Sequence, residues 1–251
     1  MTNLPTRNHN GFDSIAQEFY LWPTVTEAAK NAITTRYRLL DYIYTHLHTQ
    51  SETGVPLLSP LFFQYPSDAN TFPIDLQFFF GDSLLVSPVT EENSTDVSIY
   101  LPEDTFYDFF THAKVEGKGA FVNLTDVAFT TIPLHVKAGA IIPLRAEGAN
   151  TTTELRKKDF ELLVAVDGEG KAEGKLYLDE GDALVQEACS EIEFGYEKGE
   201  LTVKGTFGYK TEVVVKKVTV VGEEKGGYAT GESSRTVETS ICLVEGSKTK
   251  V

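Results

Sequence analysis

The sequence predicts a mainly β protein, with one long helix near the N-terminus followed by two all-β blocks. Three observations carry this expectation. Apolar residues within 24–50 recur at helical spacing. After Leu57 they come in short runs broken by Pro, Gly, Asp and Asn. A polar, threonine-rich stretch at 146–154 then divides those runs into two groups.

The helical set is Ala28, Ala29, Ala32, Ile33, Tyr37, Leu40, Tyr44 and Leu47, spaced to line one face. Thr24 or Thr26 can cap the start, Glu27 suits the positive helix end, and Gly54 followed by Pro56 marks the exit. At about 1.5 Å per residue the helix would be roughly 35 to 40 Å long, a length at home in the outer ring of a barrel. Its apolar stripe requires a large partner surface.

The first β block collects runs at 57–58, 61–63, 84–86, 97–101, 106–110, 132–136 and 141–142. The second has runs at 160–166, 175–178, 191–194, 201–204 and 212–221. Strands this short, separated by turn residues, predict two β-sandwich domains, a proximal one at 66–147 and a distal one at 148–251. No helical period is visible beyond Val55.

The 251 residues, 41% hydrophobic and 11% aromatic, suffice for one large core or two to three smaller ones. With 37 acidic against 22 basic residues, the formal charge of -15 opposes binding to nucleic acid or anionic lipid. The apolar runs fall far short of the roughly 20 residues a membrane span needs. Neither nucleic acid nor membrane is therefore an expected partner. Lys210, Lys216 and Lys217 read as a solvated face.

Nucleophile-elbow, phosphate-loop and metal-ligand signatures are missing from the sequence, so no cofactor and no metal is expected. The histidines are His9, His46, His48, His112 and His135. His46 and His48 stand two apart on the predicted helix, face different directions and cannot chelate one ion together. The carboxylates of Asp179-Glu180-Gly181-Asp182 are best explained as a turn between strands. The N-terminal cluster differs. Arg7-Asn8-His9-Asn10 precedes Gln17-Glu18-Phe19-Tyr20-Leu21-Trp22-Pro23, a set of donors and flat aromatics able to grip a sugar. The same residues equally fit a structural role, with Arg7 paired to a buried acid and Trp22 packed under the helix.

Compartment signals conflict. Residues 1–5 show neither the basic nor the apolar region of a secretory signal, which taken literally keeps the chain in the cytosol. Three Asn-x-Ser/Thr sequons, at Asn93, Asn123 and Asn150, point instead to glycosylation and secretion. Cys189 and Cys242 could pair in an oxidising compartment or stay as thiols.

Read together and in order, these residues resemble the glycoside hydrolase family 31 α-glucosidases. The resemblance starts at Arg7-Asn8-His9 and continues through Gln17-Glu18, Trp22, Ala32-Ile33, Arg36-Tyr37, Leu39-Leu40 and Tyr42-Ile43-Tyr44-Thr45. Pro60-Leu61-Phe62, Tyr65-Pro66, Asp68, Gln77-Phe78, Gly81-Asp82 and Leu84-Leu85-Val86-Ser87-Pro88-Val89 follow. It ends with Tyr100-Leu101-Pro102, Phe106-Tyr107-Asp108 and Ala138-Gly139-Ala140-Ile141-Ile142-Pro143.

The resemblance implies that residues 1–65 are the C-terminal end of a (β/α)8 catalytic barrel, with the two sandwiches after it. It also implies that His9 contacts glucose in the cleaved-sugar subsite and that Arg7 supports its loop. The implied reaction is retaining hydrolysis of terminal α-linked glucose from oligosaccharides by a nucleophile and an acid/base. Both family carboxylates lie upstream of the Arg-Asn-His loop, where this chain has six residues, so no catalytic residue is assigned. Two departures stand out: Ser59 where the family commonly has Arg, which puts local strand pairing in doubt, and Asp41 in the helix where it has Pro.

Three readings follow. The chain is a subunit or processed fragment completing a barrel supplied by the N-terminal catalytic portion of the same enzyme, whose leader would direct secretion. Alternatively it is a non-catalytic carbohydrate-binding or interaction module, or an inactive truncated product.

Overall fold

A computed structural model describes residues 10–181, 183–223, 234–244 and 246–251. It opens with a helical arm in two pieces, α1 (Pro23–Arg38) and α2 (Leu40–Thr53). Pro23 takes the first helical position, where its missing N–H is not needed. The cap residue is Trp22, not a threonine, and Thr26 instead donates its hydroxyl to the carbonyl of Phe19 at 2.7 Å. Gly54 (φ 78°) closes α2 in the left-handed conformation, its N–H bonded to the carbonyl of Gln50 at 2.9 Å.

The one long helix expected over 24–50 is broken at Leu39 (φ -85°, ψ 1°), although neither Pro nor Gly stands there. The break falls between two anchors on one residue. Arg38 Nε donates to the carbonyl of Arg145 at 3.0 Å, and the Arg145 guanidinium donates to both carboxylate oxygens of Asp41 at 2.7 Å. Holding both sides of Leu39 on a single point bends the arm there.

Next come β1 (Leu58–Ser59), α3 (Leu61–Gln64), β2 (Phe78–Phe80), β3 (Leu84–Val86), β4 (Val97–Leu101), β5 (Thr105–Asp108), β6 (Lys114–Glu116), β7 (Ala120–Leu124), β8 (Leu134–Lys137) and β9 (Ala140–Arg145). Residues 61–63, expected as strand, form a helical turn after Pro60. An apolar run of that length carries too little periodicity to separate the two states. A six-stranded sheet runs β1-β2-β3-β8-β5-β6, and β4 pairs with β7 as a separate ribbon. Sheet and ribbon close over Leu61, Phe79, Leu85, Ile99, Leu101 and Phe106.

The last part holds a helical turn, α4 (Thr152–Leu155), capped by the Thr151 hydroxyl accepting from the N–H of Glu154. The strands are β10 (Phe160–Ala165), β11 (Lys171–Asp179), β12 (Cys189–Glu197), β13 (Glu200–Phe207), β14 (Val214–Val221), β15 (Ser234–Cys242) and β16 (Lys248–Lys250). They form an eight-stranded sheet in the order β15-β14-β10-β9-β11-β12-β13-β16. β9 lies on the N-terminal side of the polar 146–154 stretch yet sits mid-sheet, so hydrogen bonding is continuous across it.

Residues of this sheet alternate between two cores, as strand geometry requires. Ile141, Leu162 and Val164 face an inner core with Phe160, Phe194 and Val215, whereas Ile142, Leu144 and Leu163 face the arm and the six-stranded sheet. The sheet curls far enough for Ile241 of β15 and Leu201 of β13 to share the inner core. Arg235 of β15 reaches the carbonyl of Val251, just beyond β16.

Candidate functional site

Arg7 and His9, the residues expected to meet substrate, lie outside the described residues. The described chain begins at Asn10, whose amide donates to the carbonyls of Gly11 and Ser14 in a tight turn. Beyond it Phe12, Tyr20 and Trp22 present their rings to solvent at 103%, 75% and 41% exposure. These aromatics are therefore not packed under the helix within this chain.

A groove of about 720 Å³ opens between α2, the β2–β3 turn and strands β11 to β13. At its wall His46 Nε2 lies 3.2 Å from Asp82 Oδ1, and Ser83 Oγ donates to that same oxygen at 2.6 Å. Serine, histidine and aspartate together invite comparison with a nucleophilic triad, but the order is wrong. His46 Nδ1 is 2.9 Å from the carbonyl of Tyr42, so both ring nitrogens are occupied and neither can take a proton from the serine. Burial pushes the Asp82 carboxyl up, but the hydrogen bond and charge of His46, with help from Ser83, outweigh that and bring it down to about 2. Asp82 is thus held as a structural anion.

Behind this pair Tyr42 is buried, its hydroxyl donating to the carbonyl of Phe80 at 2.8 Å and accepting from the N–H of Ser83 at 3.2 Å. Burial drives its phenol well above the usual range. Gly81 (φ 72°) lies flat against this ring, where any Cβ would collide with the hydroxyl.

A seam of polar contacts joins the arm to the eight-stranded sheet. Arg38 Nη2 pairs with Glu161 at 2.8 Å, Thr45 Oγ1 accepts from the N–H of Tyr177 at 2.9 Å, and Tyr44 donates to Asp179 at 2.6 Å. Asp179 is only 1% exposed. It also accepts from the N–H of Gly181 and faces Arg156 Nη1 at 3.6 Å, so its place in the chain is a turn with a clamp, while Asp182 lies outside the described residues. Burial, then Asp179 itself, raises the Tyr44 phenol to about 12, keeping it a donor. The seam residues Arg38, Asp41 and Thr45 follow helical spacing, yet no sequence signal joined them into a seam, because their partners lie more than a hundred positions away.

Among the remaining expected residues, Asn93, Asn123 and Asn150 are all exposed. Asn93 occupies a left-handed turn (φ 59°), and Asn123 sits on β7 opposite Ser98. Cys189 is half-buried and Cys242 exposed, both as free thiols. His46 and His48 face different neighbours, Asp82 and Tyr177, as their spacing requires. Asp41 supplies the carboxylate that neutralises Arg145, and Ser59 is buried on β1, paired with Phe79 of β2.

Comparison with known proteins places this architecture. Residues 4–46 match the glycosyl hydrolases family 31 TIM-barrel domain, and residues 54–142 match the glycosyl hydrolase family 31 C-terminal domain. Together these stretches span just over half of the chain. The "Probable alpha/beta-glucosidase agdC" of Neosartorya fischeri is 52% identical over 245 residues, covering 94% of this chain and 28% of that protein. Glucoamylase 1 of Schwanniomyces occidentalis is 37% identical over 220 residues, covering 86% of this chain and 23% of that protein. A crystal structure of the Tris-bound glucosidase II alpha subunit superposes with a TM-score of 0.77 at 29% identity, covering 85% of this chain and 25% of that one. The chain thus spans about a quarter of the length of the relatives it matches. It belongs to glycosyl hydrolase family 31, of which it forms a C-terminal portion.

Proposed function

We propose that this chain is the C-terminal part of a retaining α-glucosidase that removes terminal α-linked glucose from oligosaccharides, acting together with an N-terminal barrel portion that carries the nucleophile and the acid/base. The observation that carries this reading is the two-sided character of the arm. One side of α1 and α2 is fastened to the eight-stranded sheet by the Arg38, Asp41, Thr45 and Tyr44 contacts. Elsewhere on the arm Ile33 and Leu47 stand 40% and 42% exposed, and Tyr20 and Trp22, just ahead of α1, are exposed at 75% and 41%. Exposed apolar side chains such as Tyr20, Trp22 and Ile33, within the stretch 4–46 that matches a barrel domain, are what the outer ring of an incomplete barrel presents.

In the completed barrel His9 would donate to glucose hydroxyls at the mouth formed by the strand C-terminal ends, with Arg7 holding its loop. The two upstream carboxylates would stand about 5 to 5.5 Å apart across the scissile bond, as retention requires. The exposure of Asn93, Asn123 and Asn150 supports a secreted, glycosylated enzyme.

Hydrolysis of p-nitrophenyl α-glucoside tests the proposal, using the purified chain alone and mixed with a polypeptide carrying the upstream barrel. Activity in the mixture only, abolished by His9→Ala, supports it. A mixture that assembles but stays inactive overturns it.

A further inference from the structure

Outside the groove, α2 and β12 bring His48, Glu52 and Glu191 to one point. His48 and Glu52 are one helical turn apart, and Glu191 stands opposite Tyr177 in the β11–β12 ladder, so both strand residues face the same side. The His48 ring stacks on Tyr177, centroids 3.7 Å apart and planes 13° from parallel, which fixes its direction. His48 Nε2 is shielded from solvent and has no hydrogen-bond partner. Two carboxylate oxygens face it, Glu52 Oε2 at 3.5 Å and Glu191 Oε1 at 3.9 Å, neither hydrogen-bonded to it.

We propose that His48, Glu52 and Glu191 form a zinc site that fastens α2 to β12. The three donor atoms lie within 4.8 Å of one another. An ion equidistant from them would sit within roughly half an ångström of the 2.0–2.2 Å bonds that zinc makes to nitrogen and oxygen. One imidazole and two carboxylates are a donor set zinc accepts, and a divalent ion balances both negative charges, which otherwise face each other across a short gap. Both glutamates are 58% exposed, leaving solvent access for a water at the fourth position.

Titrating Zn2+ into the EDTA-stripped full chain by calorimetry, with thermal unfolding in parallel, tests the site. The expected result is one ion per chain and a raised Tm. His48→Gln and Glu191→Gln should each weaken binding by about 100-fold or more and abolish the Tm shift. His112→Gln, in a histidine remote from the cluster in sequence, should change neither. Unchanged circular dichroism of Glu191→Gln shows that the loss is not unfolding, and Glu52→Gln provides a further ligand variant should Glu191→Gln fail to fold. Binding that survives both glutamate substitutions, or no binding by the folded wild-type chain, overturns the proposal.

Discussion

In the eight-stranded sheet Phe160, Val164, Val215 and Val218 have no exposed surface at all, while on the arm Ile33 and Leu47 are 40% and 42% exposed. The sheet buries its own side chains by curling until β13 and β15 share one core. The arm buries less: Ala28, Ala29, Leu39, Tyr42 and Ile43 are covered, and its hold on the sheet combines the packing of Leu39, Tyr42 and Ile43 with the polar seam. The difference separates a region whose apolar side chains are fully covered from one that leaves some of them open. It also explains how the arm keeps its place: Leu39, Tyr42 and Ile43 pack on the sheet, and charged and hydroxyl contacts at Arg38, Asp41, Tyr44 and Thr45 fix the register while Ile33 and Leu47 stay open.

The comparison is broken most directly at Asp41. Asp41→Ala leaves the Arg145 guanidinium, 2% exposed, stacked over Phe160 and bonded to the carbonyl of Lys158 but without a counter-charge. An orphaned buried charge costs about 3–5 kcal/mol, read as a lowered midpoint in urea unfolding. Phe194→Ala in the inner core should cost a similar amount, about 3–5 kcal/mol, by opening a cavity. If Asp41→Ala proves neutral, the seam does not hold the arm. Tyr44→Phe is milder, because Asp179 keeps the N–H of Gly181 and Arg156; losing one hydrogen bond to a buried carboxylate costs about 1–2 kcal/mol.

These seam contacts also mark the limit of what sequence patterns reveal. The mainly β class, the arm, its Gly54 terminus and the strands at 97–101, 160–166 and 201–204 follow from local periodicity and turn residues, which are properties of neighbouring positions. The break at Leu39 does not, since its cause lies at Arg145. β6 and β7 escaped for another reason: Lys114 to Glu116 and Ala120 to Leu124 form sheet margins, largely exposed, so burial imposes little hydrophobic alternation on them. For the site, helical spacing correctly sent His46 and His48 to different neighbours, yet placing Glu191 beside His48 requires the β11–β12 register, which no local pattern encodes.

A smaller effect distinguishes the groove wall from the seam through pH. The Asp82 carboxyl is lowered to about 2 in the folded chain, against about 3.9 when unfolded. A lowered pKa means that the contribution of Asp82 to stability is complete above the unfolded value and is lost as pH falls through the folded one. The gap in unfolding midpoint between wild type and Asp82→Asn should therefore be constant above about pH 5 and close toward pH 2. A gap that persists at pH 2 would mean that the charge of Asp82 is not what holds His46.

The smallest expected effect on the chain alone is at Ile33, and it tests the comparison most sharply. Ile33 lies on α1, 40% exposed, and substitutions at exposed positions away from special contacts stay within about 0.5 kcal/mol. Ile33→Ser should accordingly leave the unfolding midpoint of the isolated chain almost unchanged and improve its solubility by trimming an apolar patch. Mixed with the upstream barrel portion, the same variant should assemble more weakly than wild type, because the apolar area lost is area that the completed barrel covers. A variant that is stable alone and poor at assembly identifies the outward face of α1 as unfinished surface. Equal assembly by wild type and variant would instead make Ile33 an ordinary surface residue, and the contrast between arm and sheet would then reflect only how each is packed within this chain.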